Sequence, residues 1–208
     1  MKLWIVISGQ LPLPRKSDSA AFAAAAASYL DAADEPERLR PVRPGTRRLL
    51  VSPRPAARDT LDRLLPGAEA ETEPLLDELP LRPARETALR LPLRLWLVSA
   101  ARQRAFGVSR QPESRRAAAK RADELLDKLE AVGRDSVLIT HPLFAAVLLD
   151  RARVRGYVAQ RSGLGAIRPW EHILLSLRTE HCGGCQHNCL LSNPGCNIGR
   201  DKAARKSG

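Results

Sequence analysis

The chain has 208 residues, enough for one α/β domain and a short appendage. Its hydrophobic content is ordinary and its charged fraction high, so a soluble globular protein is expected, and no apolar run approaches the length of a bilayer span. The formal charge of +11 admits an anionic partner such as nucleic acid, anionic lipid or a phosphorylated ligand. The arginines are scattered singly and in pairs with few aromatics between them, which favours the plainer reading of a basic, solvated surface.

Leu3-Trp4-Ile5-Val6-Ile7 is apolar on consecutive residues, the pattern of a strand buried on both faces of a parallel sheet. Ser8-Gly9-Gln10 follows at the end where such sheets place ligand-binding groups, with Gly9 expected to let the backbone turn. The start resembles a signal peptide only in outline, because the apolar run is short and Pro12, Pro14, Arg15 and Lys16 interrupt it. A cytoplasmic protein is the expectation.

Residues 11–18 are Pro-rich and expected as a loop. Ser17, Asp18 and Ser19 offer N-caps for an alanine-rich helix to Ala33, with Phe22, Ala26, Tyr29 and Leu30 on one face. Glu35–Arg47 is charged, carries three prolines and reads as a loop. Arg48–Val51 is a second strand, followed after Ser52-Pro53 by a helix to about Leu65. Glu69–Glu73 is a candidate edge strand, and Leu93–Ala105 a helix carrying Trp96. The clearest helix is expected to start at Pro112, with Glu113 in its first turn, and to stop at Gly133. Ser136–Thr140 is a buried strand ending in His141, Pro142 starts the next helix, and Ile173–Leu177 is a last strand. Strands alternating with helices indicate a largely parallel sheet covered on both faces.

Three stretches carry a resemblance to a known family. They are Leu49-Leu50-Val51-Ser52-Pro53 with Arg58-Asp59-Thr60, Glu113-Ser114 before a long helix, and Ser136–His141 before another. In this order they resemble the histidine phosphatase superfamily, with its phosphoglycerate-mutase-like fold, over roughly residues 1–178. The Leu91-Pro92, Trp96, Arg102 and Gly107 pattern is similar to a bacterial branch of it. The implied architecture is α/β, a three-layer sandwich with a mostly parallel central sheet. The family's site has a nucleophilic histidine in Arg-His-Gly, a second histidine, two arginines and a carboxylic acid. An imidazole attacks phosphorus and leaves again, and guanidinium groups clamp the phosphoryl oxygens.

This chain reads Ile7-Ser8-Gly9 where that motif belongs and Ser52-Pro53-Arg54-Pro55-Ala56 where the second arginine belongs, so the nucleophile and both clamps are replaced. His141 survives. Glu78 is a candidate acid, although the Glu-Leu-Pro it opens permits another register in which it is not; Arg54 and Arg58 are weak candidate phosphate ligands. Losing the nucleophile of a catalytic unit costs several orders of magnitude in rate. The resemblance therefore implies a pseudophosphatase acting as a binding or scaffold protein for a protein partner or an anionic or phosphorylated ligand. The alternative is a phosphatase or other hydrolase with an altered site, in which Ser8 and His141 form a Ser–His pair and Glu78 orients the imidazole.

All four cysteines lie beyond residue 181, as Cys182, Cys185, Cys189 and Cys196, a C-x2-C-x3-C-x6-C spacing. In a reducing compartment this favours a metal site over two disulfides. Residues 179–208 are accordingly read as a small metal-binding tail, zinc first and an iron–sulfur cluster second, with His181 and His187 as spare ligands. Its basic end (Arg200, Lys202, Arg205, Lys206) allows a third reading, contact with nucleic acid.

Overall fold

The computed structural model describes residues 1–34, 47–161 and 165–177. Eight strands and five α-helices occur among them: β1 (Lys2–Ile7), β2 (Lys16–Ser17), α1 (Ser19–Ser28), β3 (Arg48–Val51), α2 (Pro55–Leu64), β4 (Glu71–Thr72), β5 (Leu91–Pro92), α3 (Leu93–Ala105), α4 (Arg115–Val132), β6 (Ser136–Thr140), α5 (Pro142–Val154), β7 (Tyr157–Arg161) and β8 (His172–Leu177). Six strands form one sheet in the order β4-β3-β6-β1-β8-β7. β4, β3, β6 and β1 are mutually parallel, and β8 runs antiparallel to both β1 and β7. The protein is thus mixed α/β with a mostly parallel central sheet.

Alternation along each strand divides the sheet's two faces. Leu3, Ile5 and Ile7 of β1, with Leu50 and Leu138, pack against Leu125, Leu126 and Leu129 of α4 and Phe144 and Leu148 of α5. Val6, Val51, Val137 and Ile139 face the other way, onto Ala57 and Leu61 of α2. Consecutive residues are buried because both faces are covered, as the apolar runs predict. A third cluster joins α1 to α3, where Phe22 stacks on Trp96 with centroids 5.2 Å apart.

Several boundaries differ from expectation. α1 stops at Ser28, not Ala33; the C-cap Tyr29 stays αR, and the chain then turns. The long helix starts at Arg115 and not Pro112. Ser114 is its N-cap, accepting from Ala117 N, so Glu113 lies outside the first turn and instead forms a two-pronged ion pair with Arg121. The predicted loop at 11–18 contributes β2, paired with β5. β7 was not foreseen, since this edge strand exposes Val158 and Gln160 and turns Tyr157, Ala159 and Arg161 inward, so apolar and polar residues do not alternate along it. The edge strand at Glu69–Glu73 is the two-residue β4.

Candidate functional site

The C-terminal ends of three neighbouring parallel strands meet at one point. Ser8 follows β1, Ser52 follows β3 and His141 follows β6. Backbone bonds align them: Ser8 N–H donates to Thr140 O at 2.7 Å and Ser52 N–H to Ile139 O at 3.0 Å. Their side chains form a chain across the strand ends. Ser8 Oγ lies 2.6 Å from His141 Nδ1, and Ser52 Oγ lies 2.9 Å from His141 Nε2. All three residues are 0 % exposed. Burial pushes the imidazole down to about 4, so the ring is neutral at pH 7. A neutral ring satisfies both contacts by accepting at one nitrogen and donating from the other.

The expected pair of Ser8 and His141 is therefore in hydrogen-bond contact. Glu78 is near but does not hold the imidazole, both of whose nitrogens are taken by serines. Its carboxylate instead accepts from Leu79 N, Leu143 N and Phe144 N at 2.8–3.1 Å, capping the first turn of α5 where His141 makes no side-chain cap. Burial pushes the Glu78 carboxyl up to about 7 against the pull of those amides. The buried Tyr29 hydroxyl lies beside it, and burial and the nearby carboxylate push its pKa upward.

Both candidate phosphate ligands are engaged by other partners, although the charges of Arg54 and Asp77 stand close enough to act on the His141 ring. The Arg54 guanidinium forks onto Asp77 at 2.6 and 3.0 Å. Arg58 bonds Thr72 at the sheet edge. Arg104, buried on α3, donates to Pro80 O. Cys182, Cys185, Cys189 and Cys196 lie outside the described residues.

Sequence reasoning missed three contributors. Ser52 stood in the quoted Ser52-Pro53 pair, but only the parallel register brings it to His141. Thr60 on α2 accepts from Gly9 N at 2.9 Å and donates to Ala56 O. Trp170 covers Gly9: a Cβ there would stand 2.2 Å from the indole. Gly9 is thus needed for this close approach, not for the turn expected of it; it is absent from the positive-φ glycines, whereas Trp170 itself sits at φ 62°. No residue type or spacing near 170 announces such a lid.

Among the described residues the site offers a neutral imidazole and two hydroxyls, with the nearby Arg54 cation paired to Asp77. It also lacks free amides at the serine: Ser8 N and Gly9 N, the donors closest to a would-be tetrahedral oxyanion, are already bonded to Thr140 O and Thr60 Oγ1.

No protein-family model matches the chain, and no curated protein matches it in sequence. One solved structure that it is similar to is a phosphoserine phosphatase mutant from Entamoeba histolytica in complex with phosphoserine, at 14 % identity over 74 % of this chain and 80 % of that one, with a TM-score of 0.44.

Proposed function

We propose that residues 1–178 form a non-catalytic domain of phosphoglycerate-mutase-like type, a scaffold that carries the four-cysteine tail as a metal-binding module. The observation that supports this reading most is the closed Ser8–His141–Ser52 chain. Phosphoryl transfer through histidine needs an accessible imidazole and cations on the phosphoryl oxygens. Here the imidazole is buried between two serines, and Arg54 is spent on Asp77. Acyl transfer through Ser8 needs an exposed hydroxyl and an oxyanion hole, and the neighbouring amides are engaged. In the tail, Cys182, Cys185, Cys189 and Cys196 would hold one zinc ion, an iron–sulfur cluster being the alternative.

Two assays test the domain. Purified full-length protein is expected to show no turnover of p-nitrophenyl phosphate or phosphoserine above buffer, and Ser8 is expected to remain unlabelled by a fluorophosphonate probe. Turnover abolished by His141→Ala, or a mass-detected adduct on Ser8, overturns the reading in favour of an altered hydrolase.

A further inference from the structure

The basic excess of this chain is not evenly neutralised. On the sheet and on α4, α5 and β7, many arginines find carboxylates: Arg48 with Glu71, Arg121 with Glu113, Arg151 with Asp123, Arg155 with Asp127 and Glu130, Arg161 with Glu171. Arg116 and Arg153 are in no ion pair among the described residues. The stretch 87–112 contains no aspartate or glutamate and five arginines, of which Arg110 pairs with Glu86 outside the stretch and Arg104 is buried. Arg94 and Arg102 of α3 form no ion pair among the described residues.

The same stretch exposes apolar surface. Of the large apolar side chains exposed among the described residues, half lie between 89 and 108. On α3, helical spacing puts Arg94, Leu95, Val98, Ala101, Arg102 and Ala105 on one outward face, all exposed, opposite the buried Trp96, Ala100 and Arg104. Val98 is 56 % exposed, and Phe106 at the helix end 78 %. The inner face is held by the Phe22–Trp96 stack and by Trp96 Nε1–H donating to Ser17 O, so the outer face is presented on a fixed helix.

We infer that the outward face of α3 is a docking surface for an acidic amphipathic helix of a partner protein. The basis is charge complementarity. Arg94 and Arg102 stand about 12 Å apart along the helix axis, with Val98 between them. A partner helix with carboxylates two turns apart and apolar residues between them matches both features. Arginine beside apolar side chains is the composition of interface centres, and its planar fork suits carboxylates. A second copy of this chain does not fit, because a two-fold pairing of α3 with itself sets Arg94 against Arg102 of the other copy. A flat anionic lipid surface fits less well. The arginines sit inside the apolar stripe, whereas interfacial helices segregate their basic residues from it. The surface gives the scaffold reading a partner, but it includes neither Ser8 nor His141, so the activity assays above and the test below fail independently.

The probe is a designed, fluorescein-labelled helical peptide carrying glutamates two turns apart with leucines between them, titrated with full-length protein by fluorescence anisotropy. Saturable binding is expected. It should weaken roughly tenfold or more in Arg94→Glu/Arg102→Glu and return when the peptide's glutamates are replaced by lysines. Val98→Asp should weaken it as well. Because these side chains are exposed, circular dichroism should show each variant folded. No saturable binding, or binding unchanged by charge reversal, overturns the proposal. So does sedimentation of the protein with phosphatidylserine vesicles, or self-association, that is lost in the same variants while the peptide fails to bind.

Discussion

Two buried ionisable groups near the strand ends are shifted in opposite directions, and each ties stability to pH. The folded Glu78 carboxyl, raised from 4.5 to about 7, keeps a proton that the unfolded chain releases, so its contribution is lost as pH rises through that window. His141, lowered from 6.5 to about 4, refuses a proton that the unfolded chain accepts, so its contribution is lost as pH falls from 6.5 toward 4. Between 4.5 and 6.5 the two slopes oppose and largely offset each other. Glu78→Gln removes one of them. The variant's unfolding free energy in urea should rise from pH 4 to 6.5 by about 3 kcal/mol more than the wild type's. Parallel profiles for the two proteins would remove Glu78 from the account. The carboxyl's acidic pull on function is thus replaced by a local duty, holding the amides of Leu143 and Phe144 at the start of α5.

At the scale of elements, α5 and the segment before β8 bring their ends to the same place from opposite directions. α5 starts with Pro142, whose missing N–H is one that a first turn does not use, and Glu78 supplies the cap. The segment before β8 is pinned by Glu171, which takes Arg161 at 2.8 and 3.1 Å and Arg168 N at 3.1 Å. Trp170 N–H donates to Ile7 O at 2.9 Å, and its ring rests on Gly9. Gly9→Ala forces the indole aside. Overpacking of this kind costs about 1–3 kcal/mol. A lowered melting temperature and red-shifted tryptophan emission are expected; a melting curve and spectrum unchanged from wild type would mean that Trp170 does not seal the strand ends.

At the scale of the whole molecule, the three apolar clusters among the described residues draw on positions from Leu3 to Leu175. A chain ending at residue 178 should unfold cooperatively at a temperature within a few degrees of the full-length protein. Full-length protein purified without chelator should carry one zinc per chain by elemental analysis, and the shortened chain none. Metal retained by the shortened chain would move the site off the four cysteines. A collapse in stability would mean that the tail completes the core. The charge of +11 also resolves at this scale. Carboxylates on α4 and β4 answer many of the arginines, and part of the remaining excess lies around α3, with no acidic residue between 87 and 112.

The sequence alone was enough for the strands that run through the middle of the sheet and for the helices with strong stops. Burial on both faces demands consecutive apolar residues, and Gly133 at φ 66° ends α4 as its position after the apolar stripe indicates. His141 at the end of β6 was legible for the same reason. Its partners were not. Ser8 and Ser52 are 133 and 89 residues away, and only the parallel register of β1, β6 and β3 sets them on either side of one ring. Glu78 could be read as an acid or not, because its role depends on which helix end its loop reaches. Trp170 and Gly9 meet through a loop whose residues carry no periodic signal. Local patterning determines elements, since burial and capping act over a few residues; the chemistry at the strand ends depends on contacts that exist only once the chain has folded.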